Sequence, residues 1–314
     1  MAKQSDQERT VGLPADQGED GSVWRIKDVL GPVEPTSRGG SALLGFASDE
    51  GVRRNFGRVG AAGGPAAIRA VLSRLAVHAP TRLYDAGDVT CTDEDLEGAQ
   101  ESLAERIAAL LDQGIRPVVL GGGHEIAYGS FLGLAKHLGE ALASTDVLIV
   151  NLDAHFDLRR APRPNSGTPF RQMAELCAAR GARFRYLCLG ISEGANTSAL
   201  FERAKALEVE YRLDEEMRAT QGGDLCDLLR RRIASVDRVY LSIDLDVLPE
   251  AVAPGVSGPA ARGVALEIVE DLVDAVLSSG KLALADIAEY NPALDRDGQT
   301  ARVAARLAYR LALK

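Results

Sequence analysis

The feature that most constrains this chain is a regular alternation between short apolar runs and longer segments of helical periodicity. From Ser41 onward the apolar runs include RPVVLGG, DVLIVNLD, FRYLCLG, RVYLSIDLDV and LALADIAE, and segments of helical period separate most of them. Such alternation is typical of βαβ units built around a mostly parallel sheet. Several runs are continuously apolar, as expected of strands that helices cover on both faces. The sequence therefore predicts an α/β fold with a central, mostly parallel sheet.

The helices are predicted from the spacing of their apolar residues. Between residues 95 and 113, Leu103, Ile107 and Leu110 share one face, acidic residues occupy the first turn, and Gly114 follows the end. The same periodicity predicts further helices over residues 65–77, 125–138, 170–180, 196–206, 264–279 and 299–313.

Composition limits the organisation and the partners of the chain. We expect a flexible polar tail over 1–22 and one domain over 23–314, because no linker interrupts the rest of the sequence. The sequence contains no secretion signal and no apolar run of the roughly 18 residues that a membrane span requires. The chain has 36 Lys and Arg against 45 Asp and Glu, and its basic residues form no stripe. We therefore do not expect it to bind nucleic acid or membranes. The four widely spaced cysteines fit a reducing cytoplasm.

Acidic residues and histidines follow three of the predicted strands, where a purely structural chain would carry turn residues. The three segments are GGGHE over 121–125, NLDAHFD over 151–157 and SIDLD over 242–246. In open parallel sheets, ligands bind beside the carboxyl ends of the strands. In the second and third segments the polar residues are spaced by two, so on extended chain they project to one side and are predicted to converge. The candidate ligands are His124, Asp153, His155, Asp157, Asp244 and Asp246.

These six side chains predict a metal centre. Four carboxylates packed without a cation would repel one another and raise one another's pKa, whereas a pair of divalent ions removes that cost. A shell of oxygen and imidazole ligands suits Mn²⁺, although affinity alone does not exclude Zn²⁺, Co²⁺ or Ni²⁺. Each motif alone also fits a capped turn or a core histidine, and their joint occurrence favours two Mn²⁺ ions per subunit. The other histidines, His78 and His137, are predicted to be surface residues.

Four segments resemble the signature blocks of a known enzyme family. GGGHE, NLDAHFD, SIDLDV and AEYNP occur in the order found in the arginase and agmatinase family, the ureohydrolases. The resemblance extends from about Ser41 to the end of the chain. Within the family, the segments ASDEGVRRN, GGGHEIAYGS, NLDAHFDLR, SGTPFRQ and DIAEYNPALDRDGQTAR are most similar to the formimidoylglutamase branch.

The resemblance implies a single three-layer α/β/α domain of the arginase type and a binuclear manganese centre. It implies that one ion is held by His124, Asp153, Asp157 and Asp244, and the other by Asp153, His155, Asp244 and Asp246. Asp153 and Asp244 would then bridge the two ions. The resemblance also implies a homo-oligomer, since relatives form trimers or hexamers.

Such a centre predicts hydrolysis at an amidine or guanidine carbon. Two ions that share a water molecule lower its pKa and hold the hydroxide against an electrophilic carbon. That carbon reacts best when its nitrogens are protonated, so a carboxylate should face the cation. Glu289 matches the family's substrate-facing glutamate, with a surface acid before a turn as the alternative. Asp157 is predicted to accept a hydrogen bond from the hydroxide and to pass its proton to the leaving amine.

The substrate that the resemblance implies, N-formimidoyl-L-glutamate, carries a cationic amidine and two carboxylates. Its site should therefore place arginines beyond the acidic residues. Arg159 in HFDLR is the first candidate and Arg171 in SGTPFR the second, although RRAPRPN is also typical of a solvated surface. Arg53, Arg54 and Arg58 in GVRRNFGR are weaker candidates.

The loop over 165–171 distinguishes between branches of the family. Arginase-like members carry a histidine here that is thought to shuttle protons, whereas NSGTPFR contains none. This absence weakens an arginase function and fits the formimidoylglutamase branch. Ser166 and Thr168 in this loop are predicted to contact the substrate.

Three functional hypotheses follow. The leading one is a cytoplasmic manganese hydrolase of histidine degradation that converts N-formimidoyl-L-glutamate to L-glutamate and formamide. The alternative keeps the chemistry but acts on a guanidino compound, such as agmatine, guanidinobutyrate or arginine, and releases urea. The third is a catalytically inactive metal-binding scaffold; such relatives usually lose ligands, whereas this chain keeps all six and Glu289.

Overall fold

The computed structural model describes residues 23–218 and 222–314, so the predicted tail over 1–22 lies outside the described residues. Nine strands in this part of the chain form one sheet in the order β1-β3-β2-β4-β9-β8-β5-β6-β7, and neighbouring strands are parallel throughout. The strands are β1 Leu30–Pro32, β2 Ser41–Ala47, β3 Leu83–Thr90, β4 Arg116–Leu120, β5 Val147–Leu152, β6 Arg185–Ile191, β7 Glu210–Leu213, β8 Arg238–Asp244 and β9 Leu282–Ala288. The prediction of a mostly parallel α/β fold is confirmed.

Helices cover both faces of this sheet and make the predicted three layers. They are α1 Ile26–Val29, α2 Glu50–Arg54, α3 Gly64–Leu72, α4 Leu96–Asp112, α5 Ile126–Leu138, α6 Pro169–Ala179, α7 Ser198–Ala206, α8 Gly222–Ala234, α9 Leu266–Leu277 and α10 Gln299–Leu313. Successive strand residues face opposite layers: Val118 and Leu120 pack in the core that contains Leu229 of α8, whereas Val119 packs in the core that contains Phe131 of α5. Burial on both faces explains why the central strands are continuously apolar.

Three strands and three helices are absent from the sequence-based prediction, and the helices are α1, α2 and α8. β1 and β7 are the two edge strands, and β3 lies next to β1. Strands at or near an edge bury less apolar surface than central ones, so β3, with the sequence LYDAGDVT, lacks a continuous apolar run. Of the missed helices, α1 and α2 have only four and five residues, too few to show a helical period. The helix α8 begins with two glycines and carries three consecutive arginines, which obscure its apolar period. No helix among the described residues has the length and apolar composition needed to cross a membrane.

The helix predicted over 65–77 is shorter in the structure and ends at Leu72. The residues after it leave the helix because they bond to an earlier part of the chain. The backbone N–H of Ile26 donates to the carbonyl of Leu75 at 2.9 Å, and that of Val77 donates to the carbonyl of Trp24 at 2.9 Å. These long-range contacts satisfy backbone groups that a continued helix would have used.

The centre of the sheet positions the candidate site. The four neighbouring strands there are β4, β9, β8 and β5, and all four point in one direction. Their carboxyl ends therefore meet at one edge, where ligands bind in sheets of this type. The segments that follow β4, β5, β8 and β9 are the four that the sequence analysis singled out.

Candidate active site

Three glycines allow the chain to turn sharply between β4 and α5 and so present His124. A Cβ at Gly122 would lie 1.7 Å from the carbonyl oxygen of Ser48, so only glycine fits there. The turn is held at both ends, because the N–H of Gly122 donates to the carbonyl of Phe46 and its carbonyl accepts from the N–H of Glu289, both at 2.8 Å. The His124 side chain is 1% exposed.

The acidic residues at the ends of β5 and β8 lie together, but turns, rather than the extended chain that was predicted, bring Asp157 and Asp246 to the site. β5 ends at Leu152, and Asp157 has a left-handed backbone with φ 49°. After β8 the chain makes a short 3₁₀ turn over Leu245–Val247. Carboxylates close both turns, since Asp153 Oδ1 accepts from the N–H of His155 at 2.6 Å and Asp244 Oδ1 accepts from that of Asp246 at 2.9 Å. Asp244, the last residue of β8, keeps an extended backbone, so alternation along the strand accounts for its direction but not for those of Asp157 and Asp246.

The first cluster surrounds the Nδ1 atom of His124. Three carboxylate oxygens lie close to it: Asp157 Oδ2 at 2.9 Å, Asp244 Oδ2 at 3.0 Å and Asp153 Oδ2 at 3.2 Å. All four side chains are largely buried, with Asp157 at 8% exposure the most open. The four donor atoms lie within 4.8 Å of one another, as ligands of one ion would.

The second cluster lies beside the first and shares Asp153 with it. His155 Nδ1 is 3.0 Å from Asp246 Oδ2 and 3.5 Å from Asp153 Oδ1. The two oxygens of Asp153 thus face the two different clusters. Asp244 groups only with the first cluster in this structure, because its Oδ1 accepts the N–H of Asp246.

Both clusters fit a divalent cation. Ligand atoms about 2.0–2.2 Å from a shared ion and at right angles to one another are themselves about 3 Å apart. The His124 Nδ1 distances of 2.9 to 3.2 Å match that spacing. This nitrogen is buried and makes no hydrogen bond to the described residues, although three carboxylates surround it. Oxygen and imidazole donors without a thiolate also suit Mn²⁺.

The pKa values of these groups show how strongly the site attracts positive charge. Burial, followed by the charges of Asp246 and Asp153, raises the pKa of Asp244 well above its usual range, and burial raises that of Asp246 to about 6. Burial lowers the pKa of His124, but the Asp244 charge and the nearby carboxylates of Asp153 and Asp157 outweigh burial and leave the pKa well above its ordinary value. A bound cation would relieve the same excess of negative charge.

Glu289 follows β9 and lies beside the first cluster. Its backbone is left-handed, with φ 67°, and its Oε1 accepts the backbone N–H of His124 at 2.8 Å. Burial, then the charges of Asp244 and Glu125, raises the pKa of Glu289 well above its usual range. The alternative of a surface acid is wrong for this residue, because Glu289 is 6% exposed and lines the cleft above the clusters.

A single cleft opens over both clusters. Besides the predicted residues His124, His155, Asp157, Arg159, Ser166, Asp244, Asp246 and Glu289, it is lined by Asn55, Gly57, Ser257 and Gly258. Asn55, Gly57, Ser257 and Gly258 are absent from the sequence-based prediction. Asn55 and Gly57 lie in the GVRRNFGR segment, where only the arginines were predicted to bind the substrate. Nothing in the sequence near 257 marks it, since no apolar run precedes it.

Arg159 is the predicted arginine that lines the cleft. Within residues 23–218 and 222–314, its guanidinium makes no hydrogen bond and no ion pair. The side chain lies over Gly167, where an added Cβ would come 2.7 Å from Arg159 Cδ. An exposed guanidinium that pairs with none of the described residues thus lines the same cleft as the buried carboxylates.

The other candidate arginines are occupied by protein groups. Arg171 Nε donates to the backbone carbonyl of Arg159 at 2.8 Å, and its guanidinium pairs with Glu175. Arg53 and Arg54 each pair with Glu50. Arg58 Nη2 donates to the carbonyl of Val256 at 2.7 Å and thereby joins two segments that line the cleft. These four arginines lie outside the lining of the cleft.

The two hydroxyl candidates of the 165–171 loop lie in different places. Ser166 lines the cleft, and its Oγ accepts from Asn55 Nδ2 at 3.1 Å. Thr168 is fully buried behind the cleft, where its Oγ1 accepts the N–H of Asn165 at 3.0 Å and shapes the loop. The remaining histidines lie at the surface as predicted: His78 is exposed, and His137 pairs with an exposed aspartate.

Comparison with known proteins agrees with this geometry. The family model described as the Arginase family matches residues 40–314. The chain is 55% identical to a formimidoylglutamase of Aeromonas salmonicida (strain A449), covering 93% of this chain and 94% of the relative. It is 52% identical to a formimidoylglutamase of Ralstonia nicotianae, and the match covers 95% of this chain and 92% of the relative. Among solved structures, a Trypanosoma cruzi formiminoglutamase with Mn²⁺ superposes with a TM-score of 0.81 at 27% identity, covering 92% of this chain and 97% of that one.

Proposed function

This chain belongs to the arginase family, and we propose that it is a formimidoylglutamase, which hydrolyses N-formimidoyl-L-glutamate to L-glutamate and formamide. The observation that carries this proposal is the charge arrangement of one cleft. Its floor is lined by carboxylates, and its wall by the unpaired guanidinium of Arg159. A substrate with an amidinium group and two carboxylates has the complementary arrangement.

We assign the metal ligands as two sets of four. His124, Asp153, Asp157 and Asp244 would hold one Mn²⁺, and Asp153, His155, Asp244 and Asp246 the other. When bound, the two ions supply a water molecule of lowered pKa for attack on the amidine carbon. The Mn²⁺ in the Trypanosoma cruzi relative supports this choice of metal.

Glu289 orients and activates the amidine. Its Oε1 is fixed by the N–H of His124, which leaves its second oxygen to face the cleft. An amidinium bound there would pair with the carboxylate and remain protonated, which keeps the amidine carbon electrophilic. The same pairing offsets the cost of burying the Glu289 charge.

Asp157 handles the proton that the reaction transfers. Its Oδ2 lies 2.9 Å from His124 Nδ1, so the carboxylate is directed at the first cluster and also lines the cleft. From this position it can accept a proton from the attacking water and return it to the amine nitrogen of the leaving glutamate. The bond from the amidine carbon to the glutamate nitrogen then breaks, formamide leaves as a neutral molecule, and the positive charge of the amidinium leaves on the ammonium group of glutamate.

Arg159 binds the carboxylate end of the substrate, and Ser166 contributes a hydroxyl beside it. The Arg159 backbone is held from both sides, since its N–H donates to the carbonyl of Gly167 at 2.8 Å and its carbonyl accepts from Arg171. Arg171 thus acts through Arg159, and Thr168 through the shape of the same loop.

We further propose a cytoplasmic homo-oligomer, a trimer or a hexamer, which light scattering of the purified protein would test.

A product assay tests the proposed function. The Mn²⁺-loaded protein is incubated with N-formimidoyl-L-glutamate and, separately, with agmatine, guanidinobutyrate and arginine, and formamide, ammonia and urea are quantified independently. We expect formamide and glutamate in equal amounts from the first substrate and no urea from the others. Glu289→Gln, loaded with the same metal, is the control for a contaminating hydrolase. Urea from a guanidino compound, without formamide from the first substrate, would replace this proposal with the guanidino alternative.

A further inference from the structure

A buried carboxylate lies directly behind the candidate metal centre and takes no part in the mechanism above. Asp286 is in the middle of β9 and has no exposed surface. Both of its oxygens accept short hydrogen bonds, from Ser242 Oγ and from Tyr240 Oη, each at 2.6 Å. Burial raises its pKa. A charged group in the core of a sheet is costly, so its contacts need an explanation beyond packing.

The contacts of Ser242 link this carboxylate to His124. A serine hydroxyl has one hydrogen, and here that hydrogen points to Asp286 Oδ1. The same Oγ lies 2.9 Å from His124 Nε2 and must accept in that contact, because it has no second hydrogen to donate. The Nε2 atom therefore carries a hydrogen, so in the neutral imidazole that binds a metal Nδ1 is the ring nitrogen with a lone pair for the cation.

We propose that Ser242 and Asp286 are positioning residues that hold His124 as a metal ligand. They fix the tautomer in which Nδ1 faces Asp153, Asp157 and Asp244. The chain of hydrogen bonds from carboxylate to hydroxyl to imidazole also increases the electron density on Nδ1, as a carboxylate behind a metal-bound histidine does. This inference rests on the proposed metal site, but not on the identity of the substrate.

The sheet register is what makes this arrangement possible. Ser242 and Asp286 are paired neighbours on the adjacent parallel strands β8 and β9. Tyr240 and Ser242 are two residues apart on β8 and so lie on the same face, where both reach the one carboxylate. Tyr240 therefore bonds to Asp286 as Ser242 does, without contacting His124 in the described structure.

Tyr240 provides the matched control for an experiment. Ser242→Ala and Tyr240→Phe each remove one hydroxyl from the same buried carboxylate, but only the first also removes the acceptor for His124 Nε2. Ser242→Cys keeps a weaker acceptor and should give an intermediate result. The affinity for Mn²⁺ is measured by equilibrium dialysis with elemental analysis, and the metal-free proteins are compared by thermal unfolding. The electron paramagnetic resonance spectrum reports whether bound manganese is single or paired.

We expect Ser242→Ala to weaken binding of one of the two ions by about 10–100-fold and to convert the paired signal to that of a single ion. Tyr240→Phe should change the affinity less than about threefold, although both variants lower the thermal midpoint of the metal-free protein. Equal affinities in the two variants, or wild-type affinity in Ser242→Ala, would overturn the proposal. Metal binding is read without turnover, so failure of the wild-type protein to release formamide would count against the proposed function and not against this assignment.

Discussion

Replacing Arg159 by alanine tests how the cleft recognises the carboxylates of its substrate. The guanidinium lines the cleft without a partner in the described structure, so its removal breaks no existing ion pair. A hydrogen bond to a charged group contributes about 1.5–3 kcal/mol. Because Arg159 is exposed, screening by solvent favours the lower part of that range, about 1.5–2 kcal/mol. At about 1.4 kcal/mol per factor of ten, the expected rise in KM is roughly 10–30-fold.

The assay compares kcat, KM and metal content of the Mn²⁺-loaded variants. We expect Arg159→Ala to keep two ions per chain and most of its kcat, because in the described structure the Arg159 guanidinium makes no hydrogen bond or ion pair with the proposed ligands. Arg160→Ala is the matched control, since Arg160 is the next residue along the chain, is also exposed and does not line the cleft. Its KM should stay within about twofold of the wild type.

Two results would refute the reasoning about Arg159. If Arg159→Ala and Arg160→Ala have the same KM, the carboxylates bind elsewhere in the cleft. If Arg159→Ala loses metal as well as affinity, the arginine supports the metal loop, and its effect on KM is indirect. A substrate analogue in which the side-chain carboxylate is an amide separates the cases further, because only a direct contact makes the analogue insensitive to the substitution.

The remaining predictions concern the metals, the catalytic carboxylate and stability. Asp246→Ala should reduce bound manganese from two ions per chain to one and lower kcat by at least about 100-fold, checked by elemental analysis and kinetics; full activity with one ion would contradict the binuclear assignment. Glu289→Gln should keep both ions, because the amide oxygen still accepts the His124 N–H, but lose about 100–1000-fold in kcat/KM; an unchanged kcat/KM would remove Glu289 from catalysis. Removing the metal with a chelator should lower the thermal midpoint by roughly 5–10 °C relative to protein in Mn²⁺ at 100 times its Kd, and calorimetry with and without Mn²⁺ measures this. Burial raises the pKa of Glu270, but hydrogen bonds from Arg306 and Arg310 outweigh burial, so the pKa is lower in the folded protein than in the unfolded chain. The stability that Glu270 contributes is therefore present near neutrality and is lost as the pH falls from the pKa of the unfolded chain through that of the folded protein. Acid unfolding of Glu270→Gln should show a smaller loss over that range than the wild type.

The floor of the cleft was predictable because its residues follow buried strands. His124, Asp153 and Asp244 each come directly after an apolar run, and the carboxyl ends of parallel strands meet. The sequence pattern located them correctly, although the turn that brings Asp157 back has a left-handed residue that spacing alone does not reveal. Turns depend on single backbone angles, which leave no periodic trace in a sequence.

The wall of the cleft was less predictable because long-range contacts build it. Asn55 and Ser257 are 202 positions apart in the sequence, yet both line the cleft. Arg58 joins their segments by donating to the carbonyls of Val256 and Ser257. The sequence marked Arg58 as a possible substrate ligand, since a free arginine and one that ties two loops together look alike before the fold is known.

The place of β9 in the sheet has a consequence for synthesis of the protein. Among the described strands β9 is the last to be made, yet it alone joins the half-sheet that ends at β4 to the half-sheet that ends at β8. Until it emerges from the ribosome, both halves expose an unpaired inner edge, which is the kind of edge that recruits other chains. His124 belongs to one half, and the aspartates that face it belong to the other. The first cluster is therefore incomplete while these edges are exposed, whereas Asp153, His155 and Asp246 of the second cluster all lie in one half of the sheet. A chain stalled on the ribosome just before Leu282 should be cut readily by protease, and this sensitivity should disappear once α10 is released.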